Sequence, residues 1–211
     1  MKNVQHFIWD FDGTLFDTYP IIIKDLRCAL REFGRDCDPV ECMQLMLTNI
    51  PTARNHYADT YGIDRDELLA AYERHRKQSI ELLEAQPMAG VEKVLAKICD
   101  SGRYNYIFTH SKESVIRRYL DQHGLSGYFR EILGSESPYF ALKPAPDAVL
   151  HLMTKYGMDA KSAAMVGDRD CDLGSARNAN IGTVHYVCAA VPETLCCDWR
   201  VESFDEMCAL L

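Results

Sequence analysis

The sequence predicts an α/β protein in which a parallel sheet carries helices on its faces and a helical segment is inserted after the first strand. Three observations support this prediction. An apolar strand, residues 7–9, lies near the start of the chain. Residues 19–86 show helical spacing of apolar side chains and no alternation of the β type. From Pro87 onward, helical and strand patterns alternate, which is typical of parallel strands joined by helices.

The first strand ends abruptly in two carboxylates, in the run Asp10-Phe11-Asp12-Gly13-Thr14. Side chains alternate along a strand, so Asp10 and Asp12 point the same way if the extended geometry continues. Two carboxylates this close repel each other, and a bound cation or a proton retained by one of them relieves the repulsion. The run therefore predicts a reactive site, although Asp, Gly and Thr are also ordinary turn residues.

The inserted segment is predicted to be helical throughout. Gly34 is expected to end its first helix, and Gly62 followed by Asp64 predicts the end of one helix and the start of another. The apolar positions that recur at helical spacing in the first helix are Ile22, Ile23, Leu26, Leu30 and Phe33. Residues 18–86 are therefore expected to form a helical cap domain, and residues 1–17 with 87–211 the α/β core.

The remainder of the chain is predicted to alternate between helix and strand. The predicted elements are helix 90–100, strand 104–109, helix 112–123, strand 130–133, helix 145–156, strand 163–167, helix 170–179 and strand 182–187.

Composition excludes several classes of function. The chain has 211 residues, 47% of them hydrophobic, which is enough to bury a sizeable core. Its net charge of -8 is spread along the sequence, which argues against a nucleic-acid or membrane partner. The chain shows no signal pattern and no apolar run of the roughly 18–20 residues that cross a bilayer, so we expect a cytoplasmic location. Nine cysteines without a CxxC pair indicate neither a disulfide framework nor a zinc site.

Further polar residues are expected at the carboxyl ends of strands, where ligands bind in open α/β sheets. Thr109 stands at the end of strand 104–109, and Ser111 is expected to cap the helix that follows. Lys143 precedes a proline-stiffened approach to a helix and is either a local positive charge for a ligand or a solvated loop lysine. Asp168 and Asp172 are four residues apart and would share a helical face if their helix begins early, where a divalent metal would relieve their repulsion.

These segments, taken in order as 10–14, Thr109, Lys143 and 167–172, resemble the four motifs of the haloacid dehalogenase-like (HAD) hydrolases, which are mostly phosphatases. The resemblance covers the whole chain, and residues 18–86 are similar to the family's type-1 cap. Residues 199–207 resemble the closing strand and helix of its phosphoglycolate phosphatase branch, which is related to beta-phosphoglucomutase. The resemblance implies a Rossmann-like parallel sheet with an inserted helical cap.

The resemblance also implies roles for the four aspartates. Asp10 would be the nucleophile that attacks phosphorus and forms an aspartyl-phosphate. Asp12 would be the general acid that protonates the leaving oxygen and then the base that activates water. Asp10, the backbone carbonyl of Asp12 and Asp168 would ligate Mg²⁺, with Asp172 ligating or orienting from just outside.

Thr109, His110 and Lys143 are implied to bind phosphate, with His110 contributing its backbone N–H. His110 stands where the family commonly has Asn, and its side chain is expected either to contact substrate or tune pH dependence, or to be an incidental substitution. Arg169 is expected to form salt bridges rather than to contact substrate. In the cap, the loop 48–54 is the expected substrate contact region. Four side chains in this loop and further along the cap are candidates for contacting the substrate: Arg54, Arg74, His75 and Arg76. Each of them could also be an ordinary exposed helix residue.

The predicted function is that of a Mg²⁺-dependent phosphatase acting on a small soluble phosphomonoester, as a monomer or homodimer. The nearest alternative is a phosphomutase of the beta-phosphoglucomutase type, which would pass the phosphoryl group to a sugar hydroxyl. A non-catalytic binding protein that kept the fold is a further alternative. Dehalogenation is disfavoured because it needs neither a general acid at Asp12 nor a metal.

Overall fold

A computed structural model describes residues 1–138, 141–188 and 195–211. The chain divides into two compact units, one comprising Met1–Asp17 with Pro87–Leu211 and the other comprising Thr18–Gln86.

The first unit contains a parallel sheet with the strand order β3-β2-β1-β4-β5-β6. Its strands are β1 (His6–Trp9), β2 (Tyr104–Phe108), β3 (Phe129–Leu133), β4 (Ala163–Gly167), β5 (Gly182–Tyr186) and β6 (Trp199–Val201). The sheet confirms the predicted α/β fold class, and the strands predicted after Pro87 begin and end within one residue of the observed ones. Because β1 lies between β2 and β4, the carboxyl ends of these three strands lie side by side.

The second unit is helical, as predicted. It contains α1 (Tyr19–Glu32), α2 (Pro39–Thr48), α3 (Ile50–Tyr61) and α4 (Arg65–Glu81). Polar side chains start three of these helices, because Asp38, Asn49 and Asp64 each accept hydrogen bonds from backbone N–H groups of the first turn. Gly62 ends α3 with φ 66°, a left-handed conformation that favours glycine.

Among its described residues, the first unit has five α-helices. They are α5 (Val91–Asp100), α6 (Glu113–Gln122), α7 (Asp147–Tyr156), α8 (Asp170–Asn178) and α9 (Phe204–Leu210). Helices on its faces bury the sheet, which explains why β4 consists of buried residues throughout and reads as a continuous run of apolar and small side chains. One cluster packs Ile8 and Met165 of the sheet against Val149 and Leu152 of α7. No helix in the described ranges is both long and apolar enough to cross a bilayer.

Candidate active site

Three site residues follow directly on adjacent strands. Asp10 follows β1, Thr109 follows β2 and Asp168 follows β4. The backbone N–H of Asp10 donates to the carbonyl of Val166 at 2.9 Å, and that of Thr109 donates to the carbonyl of Leu133 at 3.0 Å. These bonds continue the pattern of the sheet by one residue, so Asp10 and Thr109 stand on rigid backbone.

Lys143 comes from the loop before α7 and is buried against the first of these residues. Its Nζ donates to Asp10 Oδ1 at 2.5 Å and to Asp172 Oδ1 at 2.8 Å, and none of its side chain is exposed. The ammonium also lies 4.9 Å from the centre of the Phe108 ring. A loop lysine in solvent was one reading of the sequence, and the structure instead buries Lys143 between two carboxylates.

The segment after this lysine is held by α8. Asn178 Nδ2 donates to the Pro144 carbonyl at 2.9 Å, and Ser175 Oγ donates to the Ala145 carbonyl at 3.1 Å. Gly174 allows the close approach, since a Cβ there would lie 2.7 Å from Pro144 Cβ. Sequence reasoning missed these supports, and the glycine inside a helical pattern was the signal that could have shown them.

Asp168 and Asp172 do not share a helical face, because the early start of the helix on which that expectation depended is not found. Helix α8 begins only at Asp170, so Asp168 belongs to the end of the strand and Asp172 to the first turn of the helix. The two carboxylates nevertheless meet because Gly167 leaves room, since a Cβ at Gly167 would lie 2.3 Å from Asp172 Cβ. The close packing of strand on helix, and not helical periodicity, brings them together.

Backbone and hydroxyl donors fix both carboxylates. Thr14 Oγ1 donates to Asp168 Oδ1 at 3.1 Å. The backbone N–H of Arg169 donates to Asp172 Oδ2 at 3.0 Å, so Asp172 also caps the helix in which it lies. Each carboxylate therefore has a fixed orientation.

Asp10, Asp168 and Asp172 together fit a divalent cation. One carboxylate oxygen from each residue lies within 4.8 Å of the others, and all three residues are buried. Asp10 Oδ2 is also buried and has no hydrogen-bond partner among the described residues. Carboxylate oxygens are the ligands that Mg²⁺ prefers, and an unpartnered buried oxygen is costly unless a ligand occupies it.

The charges of the site support the same fit. Arg169 Nη2 lies 3.9 Å from Asp10 Oδ2, and Arg169 Nε lies 4.0 Å from Asp172 Oδ2, which agrees with the expectation that Arg169 forms salt bridges. Lys143 and Arg169 are two positive charges beside the carboxylates of Asp10, Asp12, Asp168 and Asp172. A divalent cation would add the positive charge that the buried acids lack beyond Lys143 and Arg169.

Burial determines how these groups titrate. Burial, followed by the charge of Asp172, raises the pKa of Asp10 to about 6, although Lys143 and Arg169 oppose the increase. Burial would also raise the pKa of Asp172, but Lys143 and Arg169 outweigh it and lower that pKa. Burial would lower the pKa of Lys143, but Asp10 and Asp172 raise it. The site therefore favours an ammonium at Lys143 and a carboxylate at Asp172.

Asp12 contacts a different partner. Ser111 Oγ donates to Asp12 Oδ2 at 2.7 Å. The expectation that Ser111 caps the following helix is wrong, because Lys112 is the residue that precedes α6 and the Ser111 hydroxyl points to the aspartate instead. Ser111 is thus a site residue whose role could not be read from local sequence, since the contact joins residues 99 positions apart.

Thr109 and His110 organise the loop beside Lys143. Thr109 is buried, and its Oγ1 accepts a hydrogen bond from the Ser111 N–H at 3.1 Å. His110 Nε2 accepts from the backbone N–H of Lys143 at 2.8 Å, which places the ring proton of neutral His110 on Nδ1. Burial, followed by the charge of Lys143, lowers the pKa of His110 to about 4. The side chain of His110 thus joins two loops of the site.

In the helical unit, most of the candidate substrate contacts pair with acids of the same unit. Glu32 accepts from Arg74 at 2.6 Å and lies 2.7 Å from His75 Nε2. Arg76 Nη1 lies 3.5 Å from Asp25 Oδ2. The fourth candidate, Arg54, lies in α3 and not in a loop, because α3 begins at Ile50 and the loop expected over residues 48–54 is mostly helix. Among the described residues, Arg54 Nη2 makes a long contact of 3.4 Å to Asn55 Oδ1.

Comparison with known proteins identifies relatives over nearly the whole chain. The family model described as haloacid dehalogenase-like hydrolase matches residues 7–186. The phosphoglycolate phosphatase of Photobacterium profundum is 28% identical over 195 residues, which is 88% of this chain and 83% of that protein. The phosphoglycolate phosphatase of Neisseria gonorrhoeae is 27% identical over 186 residues, which is 85% of this chain and 78% of that protein.

A solved structure shares the fold over the whole length. It is the crystal structure of a predicted phosphoglycolate phosphatase from Haemophilus somnus 129PT, with a TM-score of 0.83 and 19% sequence identity. The similarity covers 100% of this chain and 99% of that chain. At this identity it concerns the fold alone.

Proposed function

The chain belongs to the haloacid dehalogenase-like hydrolases, and from this membership and the geometry of its site we propose that it is a Mg²⁺-dependent phosphatase. It would hydrolyse a small phosphomonoester through an aspartyl-phosphate. The observation that carries the proposal is the buried Asp10, which Lys143 holds at one oxygen and which shares a cation-sized acidic cluster with Asp168 and Asp172.

In the first step the Asp10 carboxylate attacks phosphorus. A bond forms between the Asp10 oxygen and phosphorus while the bond from phosphorus to the leaving oxygen breaks, and Asp12 gives its proton to that oxygen. With a pKa of about 6, Asp10 is largely ionised at neutral pH. Lys143 keeps Oδ1 of the nucleophile in place at 2.5 Å.

In the second step water replaces Asp10 on phosphorus. Asp12, now a carboxylate, takes a proton from water as the new oxygen–phosphorus bond forms and the bond to Asp10 breaks. The enzyme returns to its starting state, with the proton again on Asp12 and phosphate as the product. Asp12 is partly exposed, unlike the buried Asp10, which suits a group that exchanges protons with substrate and water.

Asp10, Asp168 and Asp172, with the backbone carbonyl of Asp12, would hold Mg²⁺. When bound, Mg²⁺ would neutralise charge on the phosphoryl oxygens, which phosphate-monoester hydrolysis requires because its uncatalysed rate is among the slowest known. Lys143 and Thr109 would bind the same oxygens. Thr109 stands on the backbone that extends β2, and Lys143 has a fixed ammonium, so both are already oriented before substrate arrives.

We propose a small phosphorylated metabolite of the cytoplasm as the substrate, and the curated relatives make phosphoglycolate the first compound to test. The net charge of -8 supports the exclusion of nucleic acid and of anionic membranes as partners. Within the helical unit, Arg54 is the candidate for contacting the rest of the substrate, because its Nε is buried and has no partner among the described residues. A monomer or homodimer would be the active form.

The test is phosphate release from a panel containing phosphoglycolate, sugar phosphates, nucleoside monophosphates and pyridoxal phosphate, with Mg²⁺ and with chelator. Asp10→Asn should reduce release to background while its thermal unfolding stays near that of the wild type. Asp170→Asn is the matched control, because it removes the same charge from the first turn of α8, where the exposed Asp170 pairs with Arg177 at 2.6 Å. This control should remain active.

Three outcomes contradict the proposal. Activity retained in Asp10→Asn would remove the aspartyl-phosphate mechanism, and activity that persists in chelator would remove the role of Mg²⁺. Isomerisation of a hexose phosphate without phosphate release would make the protein a mutase. No reaction of a folded wild-type protein with any compound would favour a binding protein without catalysis.

A further inference from the structure

Ser111 makes three hydrogen bonds that fix it in a single position. Its Oγ donates to Asp12 Oδ2 at 2.7 Å, and its backbone N–H donates to Thr109 Oγ1 at 3.1 Å. Its carbonyl accepts from the backbone N–H of Ser135 at 3.0 Å. The two backbone bonds do not depend on the Ser111 side chain, so the hydroxyl is presented to Asp12 by a main chain that is anchored independently.

The loop after β3 closes against Ser111 from the other side. A Cβ at Gly134 would lie 2.5 Å from the Ser111 carbonyl oxygen and 2.7 Å from the Glu113 nitrogen, so only glycine allows this contact. In the same loop, Glu136 Oε2 accepts from the Ser114 N–H at 3.0 Å. The segment that carries Ser111 is therefore packed between Thr109 and the β3 loop.

The orientation of the Asp12 side chain depends on the Ser111 hydroxyl more than the orientation of each other acid in the site depends on any single donor. Within the described residues, Ser111 provides the one hydrogen bond that the Asp12 carboxylate receives. Asp10 and Asp172 are buried and pair with Lys143, and Asp168 is buried and bonded to Thr14. Asp12 is partly exposed, so without Ser111 its side chain would be able to rotate between rotamers.

We infer that Ser111 is a positioning residue for Asp12, which it orients so that Oδ1 is the oxygen that carries the transferred proton. The inference rests on the proposed roles of Asp12 as acid and base. Because the Ser111 hydroxyl donates to Oδ2, Oδ2 accepts a hydrogen bond and carries no proton. When Asp12 is the acid, Oδ2 is its carbonyl oxygen, and when Asp12 is the base, Oδ2 is one oxygen of the carboxylate. Oδ1 then gives the proton to the leaving oxygen and later takes one from water.

This role predicts an effect that depends on the leaving group. An alkoxide must be protonated as it leaves, whereas p-nitrophenolate leaves without an acid. Ser111→Ala should therefore lower kcat/KM for phosphoglycolate about tenfold, and for p-nitrophenyl phosphate by no more than about twofold. If another alkyl phosphate is the best substrate in the panel, it takes the place of phosphoglycolate.

Two further variants make the comparison specific. Ser111→Thr keeps a hydroxyl and should recover most of the kcat/KM for the alkyl phosphate. Ser114→Ala removes an exposed hydroxyl three residues along the chain and away from Asp12, and should behave as wild type with both substrates. An equal loss for the two substrates in Ser111→Ala, or no recovery in a folded Ser111→Thr, would overturn the inference.

A second measurement does not depend on turnover and separates this inference from the proposed function. Crystal structures of wild type and Ser111→Ala report the side-chain torsions of Asp12 directly. We expect a changed or multiple Asp12 rotamer in Ser111→Ala with the Asp10 and Asp168 side chains unmoved. An unchanged Asp12 overturns the inference even if the enzyme is an active phosphatase, and a displaced Asp12 supports it even if no substrate is found.

Discussion

The chain contains some carboxylate–cation pairs that are buried and others that are exposed to solvent. Comparing them shows that exposure to solvent determines how the pKa of the carboxyl group shifts. In the α/β unit, Lys143 lies 2.5 Å from Asp10, and their side chains are 0% and 1% exposed. In the helical unit, Arg27 lies 2.7 Å and Arg31 2.9 Å from Asp36, whose side chain is 42% exposed. The pairs are of similar length and differ chiefly in burial.

The two carboxyl groups titrate in opposite directions. Burial raises the pKa of Asp10 to about 6, and its neighbour Asp172 adds to the increase despite the lysine. Hydrogen bonds from Arg27 and then Arg31 hold the pKa of Asp36 well below its usual range, because the penalty of burial is small there. A nearby cation is therefore not enough to keep the pKa of a buried carboxyl group at its usual value, and further positive charge in the buried site would lower that pKa.

Burial, and not the unit in which the carboxyl group lies, determines the direction of the pKa shift. Asp25 lies in the helical unit, is 1% exposed and accepts from Ser79 Oγ at 2.6 Å. Burial raises its pKa, although the Ser79 hydrogen bond and Arg76 oppose the increase. Asp25 thus resembles Asp10 in the direction of its shift and differs from Asp36 in the same unit.

The largest loss of stability should come from removing the buried ammonium of Lys143. Lys143→Met leaves Asp10 and Asp172 facing each other without their shared donor, so we expect the free energy of unfolding in EDTA to fall by about 3–5 kcal/mol. Chemical denaturation followed by circular dichroism measures it. Adding Mg²⁺ should recover part of the loss, since a divalent cation supplies the missing positive charge.

Lys93→Met is the matched control for this prediction. Lys93 pairs with Asp205 at 2.7 Å in the same unit, but the two side chains are 67% and 74% exposed. We expect a far smaller change than for Lys143→Met. Equal losses in the two variants would mean that burial does not determine the strength of these pairs.

A second, smaller effect should be a pH dependence of stability that His110 causes. The pKa of His110 is lowered to about 4, first by burial and then by Lys143, whereas the unfolded chain keeps the ordinary value of 6.5. As pH falls below 6.5, the unfolded chain takes up a proton before the folded protein does, so stability falls with pH. From pH 7.5 to pH 5 this histidine should account for a loss of about 2 kcal/mol.

His110→Asn isolates that contribution, because asparagine offers an oxygen for the Lys143 N–H and does not titrate. The free energy of unfolding of this variant should decline less between pH 7.5 and pH 5 than that of the wild type. Urea titrations at the two pH values measure the difference. Parallel declines in the two proteins would show that His110 takes up a proton as readily in the folded state as in the unfolded chain.

A third effect tests burial inside the helical unit. Ser79→Ala removes the hydroxyl that donates to the buried Asp25 and leaves that carboxyl with a weaker set of partners. We expect a loss of about 1 kcal/mol in the free energy of unfolding at neutral pH. A loss no larger than that of an exposed pair, measured by the same urea titration, would contradict the parallel between Asp25 and Asp10.

The fold could be predicted because its signals are local. Helical and β periodicity, with Gly62 and Asp64 as end and start signals, reproduced the elements to within a few residues. The buried strand β4 was also visible in the sequence as a continuous run of apolar and small residues, because every residue of that strand is buried. Polar residues at strand ends then indicated that Asp10, Thr109 and Asp168 would lie together, because adjacent parallel strands end at one edge.

The supports of the site could not be predicted, because each is a contact between distant segments. Ser111 carried the local signal of a helix cap, and only the fold brings it to Asp12. The approach of Asp172 to the end of β4 depends on the missing side chain of Gly167, whereas helical spacing suggested a shared face. Sequence patterns therefore indicated which polar groups cluster at the sheet edge better than they indicated the residues that orient those groups.

The smallest effect should follow a change in the exposed pair. Asp36→Asn keeps an oxygen for the Cys37 N–H, which Asp36 Oδ1 now accepts at 2.9 Å, and removes the charge that Arg27 and Arg31 contact. Water can solvate the two arginines, so the urea midpoint should shift less than in Ser79→Ala. The shift should fade further at about 1 M NaCl, where exposed charges are screened within about 3 Å. A large shift that persists in high salt would show that this exposed pair acts as a buried one, and the contrast between Asp36 and Asp10 would then need a cause other than solvent.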